Sequence, residues 1–236
     1  MIVGHGLLAR SFAARYAEDP TLAIFASGVS NSLERRASAF ERERHALQAL
    51  QALQAQGQHR RLLYFGSCGL FETGHPLSPY MQHKQDMEAL VLSRAGGVVI
   101  RLPQVVGVTP NPHTLTNYLR DKLLSGDRFT LWSKAERNLV DIDDVVAIAS
   151  AMIDDGLPAR SVVPIAAQRS LRMVEIVAIF ERVLQCRGNY VVEDRGSPLP
   201  IDQRVADAAA TRLGIDLGGD YAERVISKYY GPDAPA

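Results

Sequence analysis

Cysteine is scarce in this sequence: Cys68 and Cys186 are the only two, too far apart for a metal or redox spacing. Both read as reduced thiols, which argues against a disulfide scaffold or a thiolate metal site. Histidine offers no ligand pair either. His5, His45, His59, His75, His83 and His113 never fall into a spacing such as HExxH, so no metal is expected. Neither sign of charge prevails, because 26 basic residues face 26 acidic ones. Without a basic field, nucleic acid and anionic membrane surfaces are poor partners, and small ligands are better ones. Long apolar runs are also missing, with nothing near the roughly 20 residues of a membrane helix. The chain opens on a strand-like MIVG without the basic flank of a signal peptide. The expectation is a soluble cytoplasmic protein with no membrane insertion, no internal repeat and no low-complexity segment.

What the sequence does contain is alternation. MIVGHGLLARSFAARYAED reads as a short strand, a glycine turn and a helix with Leu7, Leu8, Phe12 and Tyr16 on one side. TLAIFASG is the next strand. A long helix follows SNSLE, with Leu47, Leu50 and Leu53 at helical spacing and the run Glu41, Arg42, Glu43, Arg44 read as a solvated outer face. RLLYFGS is a strand, a helix starts after Pro79, and GGVVIRLP is another strand. TLTNYLRDKLLSG reads as a helix closed by glycine, RFTLW as a short strand, VDIDDVVAIASAMIDDG as a helix entered through acidic residues, and SVVPIAA as a last sheet strand. From RSLRMVEIVAIFERVLQ onward the pattern is more helical, broken by Gly188, Gly196, Pro198 and Pro200. Strands alternating with helices predict parallel βαβ units and an α/β, doubly wound sheet. The expected division is a Rossmann-type core over residues 1–166 and a small, mostly helical substrate-side lobe over 167–236, not an independent domain.

Two short motifs carry chemistry. Gly4-His5-Gly6-Leu7-Leu8-Ala9 fits G-x-G-x-x-A directly after a strand and at a helix start. There the first glycine permits the turn, the second lets a pyrophosphate approach the backbone, and the small third residue lets helix and strand pack closely. In SPYMQHKQDMEAL, Tyr80 and Lys84 lie on one helix face. A nearby ammonium stabilises a phenolate and makes tyrosine a usable acid and base. By itself the pair reads as two solvated side chains.

The order of motifs adds context. LYFGSCGLFE, YMQHK, VVIRLPQVVGVTP and ERNLVDIDDVV resemble, in sequence order, the motifs of the extended short-chain dehydrogenase/reductase family, the nucleotide-sugar epimerases and dehydratases. The resemblance runs from Met1 to about Ala149, with weaker echoes in NYVVEDRGSPLPID. It implies Ser67 as the hydroxyl beside the substrate, Tyr80 as acid/base, and Lys84 as the residue that tunes Tyr80 and holds the nicotinamide ribose. Gly4, Gly6, Leu7, Leu8, Ser27 and Pro103 would line an NAD or NADP site, and Arg137 would hold a sugar nucleotide's diphosphate with its fork of donors. The plainer alternatives are Ser67 as a strand-end cap, Arg137 paired with Asp141 or Asp143, and Pro103 as a loop-shaping residue.

The sequence departs from that family in two places. The first helix leads almost directly to IFASGVSNS, which resembles a later family strand, so the second and third strands are missing. This should leave Met1 to Val3 at the sheet edge and removes the residue that reads the adenosine ribose. A homodimer, across this edge or through a helix pair, is expected to cover it. After Ser67, moreover, Cys68 and Gly69 stand where the family's dehydratases carry an Asp-Glu acid–base pair. The resemblance therefore implies a 4-epimerase or 4-ketoreductase in cell-surface polysaccharide (O-antigen or capsule) synthesis, not a dehydratase. A non-catalytic binding or sensor protein that has lost productive cofactor binding is the alternative.

Overall fold

Alternate residues of the central strands face opposite ways, and here both faces are apolar. Leu22 and Ile24, Leu63 and Phe65, and Val98, Ile100 and Leu102 join one buried cluster. Ala23 and Phe25, Leu62 and Tyr64, and Val99 join another. A strand buried on both faces belongs in the interior of a parallel sheet. The computed structural model, which describes residues 1–56, 61–72 and 76–234, has that sheet. In chain order its elements are β1 (Ile2–Val3), α1 (Leu7–Tyr16), β2 (Leu22–Phe25), α2 (Ala37–Ala55), β3 (Arg61–Ser67), a 3-10 turn (Cys68–Phe71), α3 (Pro79–Leu92), β4 (Gly97–Leu102) and β5 (Gln104–Val106). Then come α4 (Leu115–Ser125), β6 (Phe129–Trp132), β7 (Glu136–Arg137), β8 (Leu139–Asp141), α5 (Ile142–Asp154), β9 (Val162–Pro164), β10 (Leu171–Arg172), α6 (Met173–Val183), β11 (Tyr190–Glu193), α7 (Arg204–Arg212) and α8 (Tyr221–Tyr230). The main sheet is parallel throughout in the order β1-β2-β3-β4-β9.

Local chemistry sets several helix ends. Ser78 caps α3 by accepting from the Met81 N–H, and Pro79 takes the first helical position. Thr114 does the same for α4, which stops at Gly126 with φ of +71°. Asp141 caps α5 through the Asp143 N–H.

Helices cover both faces of the sheet. Phe12 and Tyr16 of α1 and Val145, Ile148 and Met152 of α5 pack in the first cluster. Leu47 and Leu50 of α2 and Met87 and Val91 of α3 pack in the second. This arrangement fixes a handedness relationship. From β1 to β2 to β3 the strand order advances in one direction, yet α1 and α2 lie on opposite faces, so the two crossovers have opposite hands. The α2 and α3 crossovers share a face and a hand. Right-handed crossovers are the rule, but β1-α1-β2 is not alone in its hand: the connection from β4 to β9 also advances in that direction and carries α5 on the α1 face. For α1 this hand results when the helix keeps its face but the strands it would lead to, on the far side of β1, are missing. Among the described residues β1 pairs with β2 alone and forms a sheet edge, as the shortened sequence predicts.

Three expectations change. RFTLW forms β6, the short strand expected, and β6 pairs in parallel with β11 in a ladder apart from the main sheet. The partner, Tyr190–Glu193, lies in the stretch read as mainly helical, and only the non-local pairing with β6 reveals it. Leu53 is 38% exposed while Leu47 and Leu50 are buried, because the buried stripe of α2 turns to Gln51 instead. Glu43 is no part of a solvated face, being buried on that same stripe. His59 and His75 lie outside the described residues.

The segment after residue 166 shares the first apolar cluster: Ile176, Val177 and Phe180 of α6, Ala209 of α7 and Val225 of α8 pack in it alongside Phe12 and Ile24. Its last helix is further tied to the start of α5. Tyr229 donates to Asp141 (2.7 Å), and Lys228 reaches both Asp141 and Asp143 (2.7 Å each). The Tyr221 hydroxyl accepts from the Asp141 N–H (3.0 Å) and donates to Asp144 (2.5 Å).

Candidate active site

The glycine turn is built as its spacing demands. Gly4 has φ of +133°, and a methyl group there would come within 2.4 Å of the Ala26 carbonyl oxygen. The turn thus lies directly against the end of β2, beside Ser27. Gly6 is different: it caps α1 in extended conformation, and a methyl group there would meet nothing within 4 Å. Neither a side-chain cap nor a first-turn acid neutralises the positive end of α1. Open space before an uncapped helix start suits a pyrophosphate. Ala9 is buried, and Leu7 packs against Gly107 and Leu8 against the main cluster. Pro103, half-buried, joins β4 to β5.

Ser67 ends β3, where its hydroxyl accepts from the Gly69 N–H at 3.1 Å and caps the 3-10 turn. That turn is pinned from below. Phe71 lies under the Arg101 guanidinium, and Arg101 pairs with the buried Glu88 of α3 at 2.7 Å. At its end stands Glu72, which accepts from Arg137 Nη1 at 3.2 Å. Arg137 also donates to the Glu136 carbonyl (2.6 Å) and pairs with neither Asp141 nor Asp143, which are held by Lys228 and Tyr229 of α8.

Tyr80 stands on the first turn of α3 and Lys84 on the next. Both are buried, at 8% and 4% exposure. Lys84 Nζ lies 5.8 Å from the Tyr80 ring centroid, but its hydrogen bonds go elsewhere: to Glu43 Oε1 (3.1 Å) and to the Tyr64 hydroxyl (3.0 Å). Gly28 passes directly over the ammonium, since a methyl group there would sit 2.7 Å from Nζ. Glu43, 1% exposed, receives four donors: the Val29 N–H, the Tyr64 hydroxyl, His83 Nε2 and Lys84. Burial raises its carboxyl pKa, but the His83 bond, the Lys84 charge, the Val29 N–H and the Tyr64 hydroxyl outweigh this and hold it at about 2. The expected depression of the tyrosine is therefore reversed. Burial, and then the Glu43 charge, push the Tyr80 phenol up. Burial likewise pushes up the Cys68 thiol beside Ser67.

Glu43 is the site residue that the sequence reading missed. Its signal was present: Ala39, Glu43, Leu47 and Leu50 recur at helical spacing, so the carboxylate falls on the apolar stripe of α2. Among the described residues, no group of three or more His, Cys, Asp or Glu is placed to hold a metal ion. No helix there is long and apolar enough to cross a membrane. A cavity of about 410 Å³ lined by Glu136, Asn138, Ser170, Arg172 and Leu199, among others, shares no residue with the Ser67, Tyr80 and Lys84 set.

Strand order, the glycine turn before α1 and the Tyr80–Lys84 helix define a Rossmann-type α/β protein of the dinucleotide-binding kind. Residues 12–163 match the model of the NAD dependent epimerase/dehydratase family, and the chain belongs to that family. A comparison with curated proteins finds no match. Among solved structures, the dTDP-glucose 4,6-dehydratase of Bacillus anthracis str. Ames in complex with NAD is similar at a TM-score of 0.68 and 15% identity, over 94% of this chain and 76% of that one. RMD from Pseudomonas aeruginosa, complexed with NADPH, is similar at 0.68 and 18% identity, over 95% and 86%. The UDP-glucuronic acid 4-epimerase of Bacillus cereus, in complex with UDP-glucuronic acid and NAD, is similar at 0.68 and 16% identity, over 88% and 74%. At these identities the likeness is one of fold.

Proposed function

We propose that the chain is an NAD(P)-dependent epimerase or 4-ketoreductase acting on a nucleotide sugar, in the synthesis of a cell-surface polysaccharide. The observation that carries this reading is the line of groups along the strand ends: the open Gly6 turn, Ser27 beside it, Gly28 over Lys84, and Tyr80 one turn back on α3. The fold neighbours crystallised with NAD or NADPH support the choice of cofactor.

A bound nicotinamide dinucleotide supplies the hydride acceptor or donor. The start of α1 and Gly6 would hold its phosphates, and Lys84, beneath Gly28, would be the donor for a ribose hydroxyl. Tyr80 gives or takes the proton at the sugar oxygen, Ser67 orients that oxygen, and Arg137 binds the diphosphate. Cys68, a buried thiol pushed up in pKa, and Gly69, with no side chain, offer no acid–base pair for elimination of water. Epimerase or ketoreductase chemistry is thus favoured over dehydration. The same reading includes a homodimer in the cytoplasm.

A second reading has its own support. Lys84 is held by Glu43 and Tyr64, and the Tyr80 phenol is pushed up, which suits a non-catalytic binding or sensor protein. Calorimetric titration with NADH and NADPH, each with and without a UDP- or dTDP-sugar, separates the two when followed by a turnover assay. Dinucleotide binding with turnover is expected. Binding without turnover selects the sensor, and folded protein that binds neither dinucleotide at millimolar concentration rejects the cofactor assignment.

A further inference from the structure

Four side chains that the sequence scatters over three elements meet in one buried cluster: Glu43 from α2, Tyr64 from β3, and His83 and Lys84 from α3. The connections are chemically consistent. Tyr64 donates to Glu43 Oε1 (2.8 Å) and accepts from Lys84 (3.0 Å), while Glu43 Oε2 takes the Val29 N–H (2.7 Å) and His83 Nε2 (3.0 Å). His83 is stacked on Phe40 at 4.6 Å, and its Nδ1 is buried without a partner. Gly28, which is exposed, passes directly over the ammonium.

Tyr80 packs against Val29 and Ala39, with Phe40 and Met81 around it. Among the described residues, the titratable groups beside it are Glu43 from α2, Tyr64 from β3 and Lys84 from its own helix, with His83 of that helix bound to Glu43. Farther along α3, Glu88 is spent on Arg101. A lone ammonium beside a phenol favours the phenolate; an ammonium bound to a carboxylate presents little net charge to do so.

We propose that Glu43 is the positioning residue of this site: its carboxylate fixes Lys84 beneath Gly28 and, by taking up the positive charge, keeps Tyr80 protonated, so that the resting site donates a proton rather than accepts one. The inference rests on the proposed function for the role of Tyr80 and selects within it. A protonated tyrosine serves reduction of a sugar ketone. As hydride from a reduced nicotinamide dinucleotide reaches the carbonyl carbon, the Tyr80 O–H bond breaks and a new O–H bond forms on the former carbonyl oxygen. The phenolate left behind is reprotonated from water. Oxidation of a sugar hydroxyl, the opening step of epimerisation, needs the opposite form.

The test is an ultraviolet tyrosinate titration of the full chain, each variant referenced to the same variant carrying Tyr80→Phe, with no cofactor or substrate present. Glu43→Gln is expected to move the Tyr80 transition to lower pH by at least about one unit, a tenfold change in ionisation. Equal transitions overturn the proposal. Lys84→Met guards against a Glu43→Gln protein that does not fold. It leaves the carboxylate unopposed and should raise the transition, and adding Glu43→Gln to it should bring the transition back down. No such return also overturns the proposal. Where turnover is found, the rising limb of the oxidative pH–rate profile, along which the required phenolate forms, should shift with the spectroscopic transition. A shifted titration in a protein without turnover would sink the enzyme reading and leave the role of Glu43 intact. Turnover with unshifted titration would do the reverse.

Discussion

Arg137 Nη1 donates to Glu72 Oε1 across 3.2 Å, tying β7 to the end of the turn that starts at Ser67. The pair is part-buried, so the guanidinium is neither spent in the core nor loose in solvent. A diphosphate entering beside Ser67 would compete with Glu72 for the same donors. Arg137→Ala should therefore raise KM for the sugar nucleotide about tenfold or more, with kcat nearly unchanged. Glu72→Gln, which frees the donors, should lower KM. Steady-state kinetics of the two variants checks both signs.

Tyr80→Phe removes the one proposed proton donor while keeping the ring that packs on Val29 and Ala39. Turnover should fall by about 10²- to 10⁴-fold, with dinucleotide affinity preserved by calorimetry. Normal turnover in this variant would exclude the assignment.

The two glycines of the first turn should part company on substitution. Gly4→Ala meets the Ala26 carbonyl at 2.4 Å with φ at +133° and should cost about 1–3 kcal/mol of stability, read in a thermal melt. Gly6→Ala meets nothing within 4 Å, so the fold should be unaffected while dinucleotide affinity drops. A Gly6→Ala protein that binds as tightly as the parent would move the pyrophosphate elsewhere.

Acid stability follows from Glu43. Its folded value of about 2 lies below the ordinary 4.5, so the stabilisation is present above about pH 4.5 and is lost as pH falls towards 2. Denaturant melts between pH 6 and about 2.5 should show the parent losing stability through this window. Glu43→Gln, less stable at neutral pH, should lose less of what it has.

Tyr221→Phe leaves the Asp141 N–H without its hydroxyl acceptor and Asp144 without its donor. A loss of about 1–3 kcal/mol is expected, measured by chemical denaturation. Because the ring remains to fill its place, a larger loss would mean that α8 detaches as a unit.

Most of the main sheet was legible from local pattern. Buried strands such as RLLYFGS and GGVVIRLP, bounded by turn residues, are unmistakable, and Ser78–Pro79 and Gly126 mark helix ends through capping chemistry. β11 was not legible, because a run of four residues becomes a strand only by pairing with β6, far away in the chain. Glu43 sat in a charge run that looks solvated, although its place on the apolar stripe of α2 was visible.

By itself the sequence determined the α/β alternation, the glycine turn and the spacing that puts Tyr80 and Lys84 on one helix face, since each depends on neighbours within a few residues. The tertiary structure alone decided what those residues are bonded to. Whether Lys84 serves Tyr80 or Glu43, and whether Arg137 meets Asp141 or Glu72, depends on which elements converge at the strand ends. Electrostatics follow the same division: burial and a carboxylate from another helix, neither of them encoded in YMQHK, set the protonation of Tyr80.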